Sequence, residues 1–169
     1  MKLHALLLVV AVGCGGSSTA VNEPGHEFQT ERIHEAGRVK LWVPPGWAVD
    51  DSQHDQLVMT SPDRSVSLEV TILEGKDLAS ALLGVAAAAL IGYDDLKLVG
   101  SPSDGSVNGM TALFQDGQGT FHGTPVELSV GVIDTPADKF LLVVGEAETA
   151  TFREHAHEIR EFIDRIKPM

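Results

Sequence analysis

The sequence predicts an α+β domain, an antiparallel sheet of about six to seven strands with two main helices packed on it. Three observations carry this. Residues 65–73 and 125–133 alternate apolar and polar side chains, as strands buried on one face do. Residues 140–145, FLLVVG, are apolar on both faces, as a central covered strand is. Residues 152–166 repeat apolar side chains at helical spacing behind a Thr151/Glu154 pair that has the form of a capping box.

The chain opens MKLHALLLVVAVGCGGSS. Lys2 supplies a positive start, Ala5 to Val12 an apolar run of eight, and Ala11 and Gly13 the small residues of a cleavage site, so residues 1–13 read as a secretory signal. Eight apolar residues fall short of the roughly 20 that span a bilayer as a helix. The stretch Ala11-Val12-Gly13-Cys14 resembles a bacterial lipoprotein signal, with Ala11 where that pattern usually has Leu. The resemblance implies cleavage between Gly13 and Cys14 and a diacylglycerol thioether on Cys14. Ordinary secretion is the alternative, with Ala11 and Gly13, or Ser18 and Ala20, as the small-x-small site; both readings export the protein. Cys14 is the sole cysteine, so no internal disulfide can form, and a lipid would cap the one free thiol.

Removing residues 1–13 takes away Lys2 and no acid, leaving 11 Lys and Arg against 24 Asp and Glu, a net charge of −13. Such a surface repels nucleic acid and anionic headgroups, so the expected membrane contact is the acyl chain on Cys14 and not a basic patch. Residues 14–37 are poor in apolar side chains and carry Gly and Pro without periodicity, the composition of a flexible tether. Residues 38–169 then form a single domain.

Within it, residues 38–43 make a first strand with Val39, Leu41 and Val43 inward and Trp42 outward. Pro45-Gly46 suits a type II turn, and Trp47 restarts the chain. Strands follow at 56–61 and 65–73 around a turn at Pro62-Asp63-Arg64. Asp77 can cap an alanine-rich helix over 78–91, apolar nearly all round and therefore buried. A short strand at 96–99 leads to SPSDGSVNGM, where Asp104-Gly105 and Asn108-Gly109 signal tight turns. Strands at 110–115 (extending toward Phe121), 125–133 and 140–146 form a meander, and the helix from Thr151 runs until Pro168 ends it.

VPPGW at 43–47, the NGM run at 108–110 and a last helix closing on a basic residue and Pro together resemble the PsbP-like group, over roughly residues 38–167. That group includes a photosystem II subunit, a nuclear Ran-binding import factor and bacterial lipoproteins. The resemblance implies an α/β/α sandwich and roles in binding proteins or supporting assembly. It carries over no site residue.

The chemistry-bearing residues are sparse. His155 and His157 stand at i and i+2, about 200° apart on a helix, and cannot chelate one ion; His155 with Glu158 is geometrically able to. His34-Glu35 opens like HExxH, but Arg38 stands where the second ligand belongs. Asp50-Asp51 and Asp94-Asp95 fall in expected loops without the spacing of a calcium loop. Gly117-Gln118-Gly119 reads as a bend in a long strand. No metal and no cofactor are expected. Trp42 and Trp47 are the candidate interface residues, each set against a packing role: Trp42 under a helix, Trp47 as a core plug. Three functions follow. The first is a non-catalytic, lipid-anchored envelope protein whose domain binds another envelope protein. The second is a carrier of a small apolar ligand between the sheet and helix 78–91, and the third an envelope hydrolase assembling a serine with His122 and an Asp in space.

Overall fold

The computed structural model describes residues 31–53, 56–88 and 93–169, without the side chains of 85–88. The signal, Gly13, Cys14 and the segment up to residue 30 lie outside the described residues. The elements are β1 (Glu31–His34), a 3-10 turn (Glu35–Gly37), β2 (Val39–Trp42), β3 (Ala48–Gln53), β4 (Gln56–Thr60), β5 (Val66–Leu73) and α1 (Leu78–Ala88). After these come β6 (Tyr93–Val107), β7 (Met110–Phe121), β8 (Thr124–Asp134), β9 (Phe140–Glu148), α2 (Phe152–Asp164) and β10 (Lys167–Pro168).

Seven strands form one antiparallel sheet in the order β3-β4-β5-β9-β8-β7-β6. The FLLVVG strand sits inside it, with Leu141 to Gly145 buried. One face, bearing Val126, Leu128, Val130, Val132, Leu142 and Val144, packs with Ala81 and Leu82 of α1. The other, bearing Val66, Leu68, Val70, Ile133, Leu141 and Val143, packs with Ile159, Phe162 and Ile163 of α2 and with Val39 and Leu41 of β2. The expected α+β sandwich is therefore present. To it is added a separate three-stranded sheet, β1-β2-β10, beside α2.

Several elements differ from the sequence reading. The segment 14–37 expected as tether contains β1 and the 3-10 turn, and Glu31 to His34 pair with Trp42 to Val39. Alternation hides this strand because Ile33 points out, 57% exposed, while His34 is buried. Residues 48–53 form β3, and 93–107 form one long strand in which Asp104-Gly105 is paired with Leu113 and Ala112, not turned. The turn belongs to Asn108-Gly109 alone, both at positive φ (48° and 86°), the two-residue turn that matches strand twist. The capping box of α2 does not form: Thr151 already has helical dihedrals, and its hydroxyl turns back toward the Glu148 carbonyl. The helix ends at Asp164, ahead of Pro168, which belongs to β10.

Asp77 does cap α1. Its carboxylate accepts the Ser80 N–H at 2.7 Å while the Ser80 hydroxyl accepts the Asp77 N–H at 3.2 Å. The Ser80 N–H bond is the main reason the Asp77 carboxyl titrates below its usual range. Gly46 at φ +81°, with the Trp47 N–H bonded to the Pro44 carbonyl at 3.2 Å, completes the type II turn of VPPGW.

Candidate functional site

Glycines shape the face under α2. At Gly145 a Cβ would lie 2.3 Å from Ile159 Cγ2, so the helix rests on bare β9 backbone. Phe114 of β7 lies flat across its neighbours, and a Cβ at Gly105 or Gly131 would come within 2.5 or 3.1 Å of its ring. Beside this ring β6 swells away from β7, because Val99 pairs with Asp116 and Ser103 with Phe114, four steps against two. Gln115 holds the bulge by donating to the Gly100 carbonyl at 2.9 Å.

A cleft of about 650 Å³ opens between the bulge and α2. Its apolar lining includes Val99, Phe114, Phe152, Ala156, Ile159 and Ile163, and its polar lining includes Ser101, Ser103, Arg160 and Asp164. Val99 is 47% exposed there. A second cleft of about 630 Å³ lies between β1 and the β3-β4 pair and includes Ile33, His34, Leu41, Asp51 and Gln53. The two split the parts a hydrolase would need together. The first is lined by hydroxyls without an imidazole, and the second has His34 without a serine. His122 lies elsewhere, its ring 4.3 Å from that of Phe121.

On the α1 face, Tyr93 donates its phenol proton across β7 and β8 to Glu146 of β9. Burial pushes the Glu146 carboxyl above its usual range and Glu69 adds to that, while the Tyr93 bond and His122 pull it down. Burial, with Glu146 behind it, likewise raises the Tyr93 phenol, which stays a donor. The pair works as a strut between β6 and β9. Sequence reasoning missed it, as it missed Val99 and Phe114, since neither a lone tyrosine nor a strand-end glutamate carries a motif; only the tertiary register joins them.

The residues singled out by sequence are scattered. Trp42 sits on the outer face of β2, half-buried beneath Arg165, whose guanidinium carbon is 4.1 Å from the ring centroid. Trp47 packs partly buried against the main core. Asp50-Asp51 and Asp94-Asp95 are in β3 and β6, not in loops, and both strands slip register beside them. These are the two edges of the seven-stranded sheet. His155 pairs with Glu158 at 3.5 Å, and among the described residues no three His, Cys, Asp or Glu side chains gather as a metal would require. The described part of α1 lines neither cleft; Ala81 and Leu82 lie against the sheet, and Leu83 is 72% exposed.

Basic residues gather in one part of the fold, as Arg32, Arg38, Lys40, Arg165 and Lys167 all lie in or beside the three-stranded sheet. Residues 31–42 and 165–169 hold these five against two Glu, a side-chain charge of +3, whereas the full chain stands at −12 and the remainder therefore at −15.

No protein-family model matches the chain, and no curated protein does. Solved structures do match. Cyanobacterial PsbP (CyanoP) from Synechocystis sp. PCC 6803 is 12% identical, covering 89% of this chain and 99% of its own, with a TM-score of 0.65. LpqN, involved in cell envelope biogenesis of Mycobacterium tuberculosis, is 14% identical over 82% of this chain and 88% of its own, with a TM-score of 0.54. The Saccharomyces cerevisiae Ran-binding protein Mog1p is 16% identical over 80% and 93%, with a TM-score of 0.53. At these identities the likeness speaks for the backbone, and the chain carries a PsbP-like α+β domain.

Proposed function

We infer that this chain is an exported, lipid-anchored envelope protein that is not an enzyme and whose domain binds another envelope protein. In this reading residues 1–13 are removed, Cys14 carries the lipid, and residues 15–30 are the tether, shortened from 37 because β1 begins at Glu31. The observation that carries the binding role is the cleft beside α2, where exposed Val99 and half-buried Phe114 and Phe152 form an apolar wall within a polar rim. This is the composition of an interface, with aromatic anchors inside and polar groups around them. LpqN in cell envelope biogenesis and Mog1p in Ran binding lend the reading support as proteins of the same fold.

A photo-crosslinking amino acid at Val99, with a second at exposed Lys139 as the control position, tests it in intact cells. One recurrent protein adduct from Val99, absent from Lys139 and lost on Ala156→Arg, is the expected result. Equal or no adducts from both positions would sink the binding role. Mass spectrometry of the N-terminal peptide tests the acyl group on Cys14 separately.

A further inference from the structure

We propose that the outer face of the β1-β2-β10 sheet docks on an anionic phospholipid surface, so that the tethered domain is held in one orientation and does not swing freely. This deepens the membrane-anchored reading and rests on it. The register sets out the face. Ile33 and Lys167 flank Lys40 in one row, and Glu31 flanks Trp42 in the next, with Arg165 laid over the indole. Alternation along β2 turns Val39 and Leu41 to the core, so Lys40 and Trp42 point out.

Three features point to a headgroup layer. The first is charge: residues 31–42 and 165–169 carry +3 against −16 on the rest of the mature chain, which in the field of an anionic leaflet turns this sheet toward the membrane and the acidic body away. The second is the opposition of Lys40 and Lys167 across β2 and β10, a like-charge pair that costs stability unless an anion sits between them. Lys40 reaches Glu31 at 3.6 Å and Arg165 reaches Glu161 at 2.6 Å, whereas Lys167 has no carboxylate partner among the described residues. The third is placement: only 16 residues separate Cys14 from Glu31, and the chain enters the fold on this same sheet. Half-buried Trp42 beside exposed Ile33 supplies the amphipathic contact that interfaces favour.

The test uses the full mature chain as isolated from membranes, carrying Trp47→Phe so that Trp42 is the only indole. It is reconstituted into vesicles of brominated phosphatidylcholine, with or without about 30 mol% phosphatidylglycerol. Trp42 fluorescence should be quenched in the anionic vesicles alone, and the quenching should fade in about 0.5 M NaCl. Lys40→Gln with Lys167→Gln should weaken docking about 25-fold, at about fivefold per residue, while Lys40→Arg with Lys167→Arg retains it. Circular dichroism on both pairs separates lost docking from lost folding. Quenching indifferent to phosphatidylglycerol, or none at all, overturns the proposal. So does an unquenched Trp42 with recurrent in-cell crosslinks from residues 40 and 167 to an acidic protein. If Cys14 proves unacylated, the anchoring reading fails by itself. The same chain is then added to preformed vesicles, and sedimentation with anionic but not neutral lipid upholds the face, while sedimentation with neither overturns it.

Discussion

Two Gly→Ala substitutions in this chain should move stability in opposite directions. At Gly145 the new methyl would arrive 2.3 Å from Ile159 Cγ2, 3.0 Å from Cγ1 and 3.1 Å from Cδ1. Carbon atoms rest at about 3.5–4.0 Å, so α2 must lift by more than an ångström or Ile159 must leave its rotamer. Neither is easy, since Ile159 is 1% exposed and its neighbours Phe162 and Ile166 are fully enclosed. Overpacking of this kind costs about 1–3 kcal/mol, and the closeness of the clash places Gly145→Ala near the upper end. At Gly84, within α1, a Cβ meets nothing within 4 Å. Alanine there should stabilise by about 0.5–1 kcal/mol through helix propensity. With a urea m value of about 2 kcal/mol/M, the midpoint falls by about 1.5 M for Gly145→Ala and rises by about 0.3–0.5 M for Gly84→Ala. Ile159→Ala removes the clashing branch, so Gly145→Ala in that background should cost less than about 1 kcal/mol. An unchanged midpoint for Gly145→Ala, or strict additivity with Ile159→Ala, would show that the helix does not sit on Gly145.

Asn108 donates its side-chain amide to the carbonyls of Asp164 and Ile166 at 2.8 and 2.7 Å. Asn108→Gly keeps the positive φ and loses both bonds, so it should cost about 1–3 kcal/mol and speed hydrogen exchange at Arg165 and Ile166. Because the folded Glu146 carboxyl binds its proton more tightly than the unfolded one, its contribution is full at pH below the ordinary carboxylate value and falls as pH rises through the raised one. Glu146→Gln still accepts from Tyr93, so its melting temperature should gain on the parent between about pH 4 and 7; a constant offset across that range would refute the assignment. The Asp63 carboxyl has the opposite sign, held low by the hydroxyls of Ser61 and Ser65 and by the Ser65 N–H. It contributes stability above the ordinary carboxylate value that is lost as pH falls, and Asp63→Ala should flatten the acid limb of the same melting curve. Asp50→Val with Asp51→Val removes charge from the exposed β3 edge and should bring concentration-dependent light scattering that the parent lacks.

How much of the molecule was legible depended on whether the partner of each residue was near in sequence. Ile159, Phe162, Ile163 and Ile166 recur at helical spacing and are all buried, so the last helix could be read directly. The alternation in β5 and β8 is likewise local. By contrast β3 and β6 are edge strands, and an edge needs only one row of backbone hydrogen bonds. Pro102, Gly100 and the paired Asp residues are tolerated there, and they look like loop in the sequence. β1 failed for a subtler reason, its hydropathy being inverted by a buried His34 and an outward Ile33. The NGM run was legible as a turn, but its tie to the end of α2 spans 56 and 58 residues and leaves no local mark. Trp42 was correctly placed on the outer side of its strand; that Arg165 would cover it, and that scattered basic residues would converge around it, required the fold.

The last strand carries a consequence for the order in which the molecule is made. β10 pairs with β2, and the Met169 N–H bonds to the Arg38 carbonyl at 2.9 Å, so the final residues close a sheet begun by the earliest described ones. A chain delivered from its N-terminus, by a ribosome or by an export channel, therefore has β2 paired with β1 alone, waiting for its second neighbour until residues 167–169 arrive. The cover of one whole core face, α2, arrives within the same last stretch. Until then Val66, Leu68, Val70 and Val143 have Val39 and Leu41 of β2 over them but lack the cover of Ile159, Phe162 and Ile163. The topology works as a delay, keeping the thread loose while it is being passed and committing it to structure only once residues 152–169 have arrived.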